Sequence, residues 1–354
     1  MRLRATPFTV HKRVALTISR GSQAENPVVG VQIDHNGIQG WGEACPFAIA
    51  EPPQTLEDIL TAIRELIPVM AAFTPWDRQA IEAEWQRLGI PSAVRAAVDM
   101  ALHDWMGKKV GQPLWRLWGL DPKRAPVTTV TIGILPPEQA QERAQQWIEQ
   151  VQPHAFKVKM GNPDGIRADQ AMLIALQEIL PSGSLITVDA NGGWTLEESL
   201  HMCNWLAGQG VACVEQPLER GREQELVALW HQSPIPILAD ESCLTNSDIP
   251  ALVGHVHGIN IKLMKCGGLS EALRMIHTAR AHGMQVMLGC YGNTSLANTA
   301  AAHLGSLVDY LDLDSQLNLL DDPFIGALPV EGRLMPSDLP GLGVRRRPET
   351  QSMG

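Results

Sequence analysis

Five short apolar runs each close on an ionisable residue: FKV on Lys159, LITV on Asp189, VACV on Glu215, PILA on Asp240 and GINI on Lys262. A lone charge at such a place is ordinarily a helix cap or a solvated loop residue. Five in succession, spaced 30, 26, 25 and 22 residues apart, are not explained that way. Three carboxylates converging on one point repel one another unless a cation neutralises them. With oxygen donors alone and no His or Cys among them, the set favours Mg2+, whose remaining coordination positions go to water and substrate oxygens. A lysine beside a divalent cation and a second lysine has its pKa lowered and can act as a general base. Lys157, one pleat from Lys159 on the same face, can supply such a neighbouring charge. A cation flanked by two bases suits removal of a proton from carbon next to a carboxylate, with the cation stabilising the enediolate. Further along, Asp312 and Asp314 lie one pleat apart on one face, a pair suited to holding a cationic group.

These side chains need elements that deliver them to one place. Eight β-rich runs alternate with helical stretches after residue 126: VTTVTI (127–132), AFKVK (155–159), LITVD (185–189), VACVE (211–215), IPILAD (235–240), GINIK (258–262), MQVML (284–288) and VDYLDLD (308–314). Such alternation means parallel strands joined by crossovers, and eight units predict a closed (β/α)8-type barrel with the charged residues at its C-terminal rim. An open doubly wound sheet competes, but the chain has neither G-x-G-x-x-G nor a Walker loop. The first part reads differently. Residues 27–34 and 38–43 predict two strands around Asn36-Gly37, followed by helices at 55–72, 76–88 and 91–107. We therefore expect an α+β capping domain over 1–120, a barrel over 121–318, and a segment 319–354 that packs back on the cap.

The motifs in order, with Lys157-Val158-Lys159, VDANGGW, VEQP, ADES and NIKLMKCGG, resemble the enolase superfamily and its muconate-lactonizing-enzyme subgroup. The resemblance covers most of the chain, WGEA (41–44) included. It implies a modified TIM barrel with a cap, Mg2+ held by Asp189, Glu215 and Asp240, and Lys159 and Lys262 as the acid/base pair. Lys265 is the other candidate at the sixth strand; Lys262 is preferred because it continues the strand register. Asn191 and Lys157 fit supporting roles that orient ligand or base. The D-x-D of Asp312 and Asp314 resembles that of the dipeptide epimerases, where it binds the α-ammonium of the substrate. That implies epimerisation at the C-terminal residue of a dipeptide, L-Ala-D/L-Glu from cell-wall (murein) peptide recycling being one such substrate. Arg20 matches an arginine that binds the glutamate side chain in Ala-Glu epimerases. In GCYGNTS the related pattern carries a glutamate where Asn293 stands, and bulky aliphatic residues at Tyr291 and Gly292.

Two alternatives from the same subgroup are dehydration to o-succinylbenzoate and N-acylamino acid racemisation. Neither substrate offers an ammonium for Asp312 and Asp314. A barrel that binds without catalysing should have lost a metal ligand or a base, and all five are present. The chain has 354 residues, 45% of them hydrophobic, and a net charge of −10, which argues against disorder and against nucleic-acid or anionic-membrane partners. Six scattered cysteines form no C-x-x-C pair, and no apolar run approaches a membrane span, so the expectation is a cytoplasmic enzyme. The partner expected is a small-molecule dipeptide, with a homo-oligomer left open.

Overall fold

The computed structural model describes residues 1–49 and 52–348. Its N-terminal part is a three-stranded antiparallel sheet, β1 (Arg2–Ile18), β2 (Gly21–His35) and β3 (Ile38–Ala44), followed by α1 (Leu56–Met70), α2 (Arg78–Leu88) and α3 (Ser92–Val110). Asn36 and Gly37 take positive φ (53° and 74°), as the tight turn between two twisted strands requires. The helices begin and end within three residues of the sequence expectation. The long strand β1 was not expected: it pairs along β2 from Arg2–Asp34 to Ile18–Gly21, with one irregularity between His11 and Leu16.

Helix α3 is buried along nearly its whole length, against the sheet on one side and the barrel on the other. Gly40 and Gly42 in β3 make this possible: a Cβ at either would overlap the carbonyl oxygen of Ala101 or Ala97 in α3. Asp99 of the same helix accepts from the Ser270 amide (3.0 Å) and hydroxyl (2.6 Å) at the start of a barrel helix.

All eight expected parallel strands form: β4 (Val130–Ile132), β5 (Ala155–Lys159), β6 (Leu185–Asp189), β7 (Val214–Glu215), β8 (Ile237–Ala239), β9 (Gly258–Lys262), β10 (Gln285–Gly289) and β11 (Tyr310–Asp312). They neighbour one another in chain order, and a parallel bridge from Thr128 to Leu311 joins the last strand to the first. Several are shorter than the apolar runs suggest. Asp240 lies one residue past β8. Asp314 lies beyond β11 at the start of a short 3-10 turn, so it is not on the strand as expected.

The C-terminal residues touch the cap. Phe324 meets the rings of Phe8 and Trp41 edge-on (centroids 6.5 and 6.2 Å), and the Leu342 amide donates to Asp104 of α3 (2.8 Å). This segment contains two short strand pairs, Phe324–Ile325 with Arg345–Arg346 and Leu328–Val330 with Arg333–Met335. Pairs of two or three residues are too short to show alternation in the sequence.

Candidate active site

Parallel pairing sets Lys159 beside Asp189 and Asp189 beside Glu215, while Lys262 and Asp312 flank Gly289. Strands β5 and β9 are four places apart in a ring of eight, so Lys159 and Lys262 face each other from opposite walls. Both line a cavity of about 160 Å³ together with Asp312, Asp314, Arg20 and Asn191. Asp189, Glu215 and Asp240 are buried beneath, with one carboxylate oxygen of each within 4.8 Å of the others. The sequence-derived residues therefore meet in one place.

The crowding of carboxylates has an electrostatic consequence. Burial and the neighbouring Asp189 push Glu215 up to about 7, against the opposing effect of Lys157. A hard divalent cation among three oxygen donors relieves that repulsion, and the donor set fits magnesium. The lysines are ordered by the same carboxylates: Lys159 Nζ donates to Asp189 Oδ2 (2.5 Å) and Lys262 Nζ to Asp240 Oδ2 (2.7 Å). Asp240 is held well below the usual carboxylate range, because Lys262 and Lys265 outweigh its burial. Lys262 correspondingly is raised above its ordinary value: burial lowers it, but Asp240 together with Tyr291, Glu215 and Glu241 outweighs that effect. The lowering expected from the sequence rested on a divalent charge and a second lysine, and the carboxylate cluster by itself acts on Lys262 in the opposite direction.

Lys265 is placed differently. Its Nζ donates to the carbonyls of Asp240 (2.7 Å), Asn260 (2.9 Å) and Cys243 (3.1 Å) and to Asp240 Oδ1, with no access to the cavity. Lys157 is fully buried and donates to both Glu215 Oε2 and Asp312 Oδ2, each at 2.6 Å. It therefore ties Asp312 to the carboxylate cluster, a different task from flanking Lys159. Asp312 also accepts from the Thr129 hydroxyl (2.7 Å), and Asp314 Oδ2 accepts from the Thr131 amide (2.6 Å). No basic side chain lies within ion-pair distance of Asp314 among the described residues. Burial and Asp312 push its pKa up to about 6.

Arg20 sits in the turn between β1 and β2 and reaches the cavity, but its guanidinium is engaged: it donates to Glu241 Oε1 (2.8 Å) and to the Asn191 carbonyl (2.9 Å). Asn191, at positive φ (46°), donates its side-chain amide to Asp189 Oδ2 (3.1 Å) and Glu241 Oε1 (3.3 Å). Asn293 turns away from the cavity. It donates to Glu43 Oε1 of β3 (3.0 Å), which also accepts from the Thr294 amide (2.9 Å), while the Thr294 hydroxyl donates to Glu43 Oε2. A glutamate at 293 would place a second carboxylate against Glu43 where the Asn293 amide now donates to it.

Sequence reasoning missed Asn260, which donates to Glu215 Oε1 (2.7 Å), although a polar residue alternating with Lys262 in GINIK was a readable signal. It also missed Glu241, the partner of Arg20, Thr129, which donates to Asp312, and Thr131, Leu16 and Ile18, which line the cavity. Their contacts cross from one end of the chain to the other.

Two family models match this chain. One, described as the mandelate racemase / muconate lactonizing enzyme N-terminal domain, matches residues 4–119, and one described as enolase C-terminal domain-like matches 139–350. A hydrophobic dipeptide epimerase from Flavobacteria bacterium is 40% identical, over 96% of this chain and 97% of its own length. An L-Ala-D/L-Glu epimerase from Bacteroides thetaiotaomicron is 35% identical, over 98% and 88%. The crystal structure of a dipeptide epimerase from Enterococcus faecalis, complexed with Mg and L-Leu-L-Tyr, superposes with a TM-score of 0.90 at 30% identity, covering 97% of this chain and 98% of that one.

Proposed function

The chain belongs to the mandelate racemase / muconate lactonizing enzyme family of the enolase superfamily, and from that premise we propose that it is a magnesium-dependent dipeptide epimerase, an isomerase inverting the α-carbon of the C-terminal residue. The observation that carries this reading is the pair Lys159 and Lys262 on opposite walls of one cavity, above three clustered carboxylates and beside Asp314. Asp189, Glu215 and Asp240 would hold the metal, which when bound supplies positive charge against the negative charge developing on the substrate carboxylate. One lysine removes the α-proton and the other returns a proton from the opposite face, which inverts the centre. Asp314, buried and without a basic partner among the described residues, receives the substrate ammonium. Asp312, already neutralised by Lys157, supports it. Asn191 and Lys157 orient Asp189 and Glu215.

Leu16, Ile18 and Arg20 come from the same arm and line the same cavity. An apolar substrate side chain meets Leu16 and Ile18 directly. The glutamate of L-Ala-D/L-Glu, the cell-wall recycling substrate, reaches Arg20 in competition with Glu241. Apolar C-terminal residues are therefore proposed first and glutamate second. The six cysteines are free, five of them buried, and no helix among the described residues is long and apolar enough to cross a membrane; both features support a cytoplasmic setting.

The deciding experiment is α-proton exchange into D2O across a panel of dipeptides with Mg2+, in the parent and in Lys159→Ala and Lys262→Ala variants. We expect exchange with the parent, and each variant to lose exchange from one epimer. An absence of exchange across the whole panel would sink the reading. Turnover of N-acyl amino acids or o-succinylbenzoate precursors alone, unaffected by Asp314→Asn, would replace it with another reaction of the subgroup.

A further inference from the structure

The two lysine walls are not equivalent. The Lys262 ammonium lies 4.9 Å from the centroid of the Tyr291 ring, over its face, whereas no ring covers Lys159 among the described residues. Tyr291 is held in place from several directions. Phe47 of the cap stacks on it (centroids 5.3 Å, planes 21° apart), and its amide donates to Asn293 Oδ1 (3.0 Å). Gly292 beside it leaves no room for a side chain, since a Cβ there would overlap Asn26 of β2. Two residues earlier, Gly289 keeps the strand bare where a Cβ would press on Asn260 and on Lys262 Cε (3.1 Å). The hydroxyl of Tyr291 is buried with no hydrogen-bond partner among the described residues, so the geometry attributes the contact to the ring and not to the phenol oxygen.

An aromatic face attracts an ammonium through its quadrupole but offers no in-plane lone pair to compete for the proton. It can fix the position of an amine while leaving its nitrogen free to exchange protons with a substrate. Resting on the two-base reading above, we propose that Tyr291 is a positioning residue for Lys262 alone, so that it controls proton transfer at one face of the substrate α-carbon. Asp240 orders the same lysine from below and the ring limits its reach from the side.

The test measures α-proton exchange into D2O, starting separately from the two epimers of one dipeptide that the parent turns over, with Lys262→Ala identifying the epimer that depends on Lys262. In Tyr291→Leu, that epimer is expected to exchange roughly 3- to 30-fold more slowly, the span of a desolvated cation–π contact, while the other epimer changes much less. Tyr291→Met serves the same purpose should the leucine variant not fold. Tyr291→Phe, which keeps the ring, is expected to rescue most of the lost rate. Equal slowing of both epimers, or a phenylalanine variant as impaired as leucine, overturns the proposal. If Lys262→Ala itself spares both epimers, the two-base reading fails instead, so the two failures are separable.

Discussion

Asp314 is a buried carboxylate beside a second one, with no cation in contact among the described residues, and such a group is costly until a positive ligand arrives. Replacing it by asparagine keeps the shape and removes the charge. For dipeptides with a free amino terminus we expect kcat/KM to fall by about 10- to 100-fold, the worth of a charge-assisted hydrogen bond, while N-acetylated dipeptides show no such loss. Equal loss on both substrate types would mean that Asp314 does not read the ammonium. Glu43 makes a second prediction. Burial raises its pKa from 4.5 to about 7, despite hydrogen bonds from Thr294 and Asn293. A raised carboxyl contributes stability that is complete below its unfolded value and is lost as pH rises through about 7. The parent should therefore lose about 2–3 kcal/mol of unfolding free energy between pH 5 and pH 8 from this group, and Glu43→Gln should not. Denaturant titrations at the two pH values check this; parallel losses in both proteins would contradict it.

Among the elements, the junction of β3 with α3 depends on two missing side chains. Gly42→Ala puts a methyl group into the Ala97 carbonyl, and neither the strand nor the fully packed helix can retreat without moving the barrel helix capped by Asp99. We expect a loss of about 1–3 kcal/mol, seen as a lower melting temperature, and a melting point equal to the parent's would show that the helix shifts freely. The same elements show what could be read beforehand. Barrel strands ending on Lys159, Asp189, Glu215 and Lys262 were legible because a strand buried on both faces is an apolar run, and a terminal charge stands out against it. Strand β1 was not, since it is mostly exposed or half-buried and carries basic and polar residues with little alternation; pairing with β2 makes it a strand. The Lys157–Asp312 and Arg20–Glu241 pairs were equally hidden. Their residue types were visible, but the first pair spans 155 positions and depends on closure of the ring.

For the molecule as a whole, the carboxylate cluster should couple metal binding to stability. Any ligand that binds only the folded chain stabilises it, by about 2.7 kcal/mol at a hundred times its Kd. Saturating Mg2+ is expected to raise the melting temperature by several degrees and to restore exchange abolished by a chelator, and Asp189→Asn should cancel both effects. A melting temperature and an exchange rate indifferent to chelation would remove the metal from the account. The contact between Glu43 and Asn293 bears on a different matter, the transfer of specificity between relatives. A designer who grafts onto this barrel a seventh-strand loop bearing glutamate at 293 brings another carboxylate beside the buried Glu43, whose pKa burial and Asp322 already raise. One of the two carboxyls must then keep its proton or find a donor in place of the Asn293 amide, a requirement remote from the substrate. Recombination libraries should therefore treat positions 43 and 293 as one inherited unit, even though 250 positions of chain separate them.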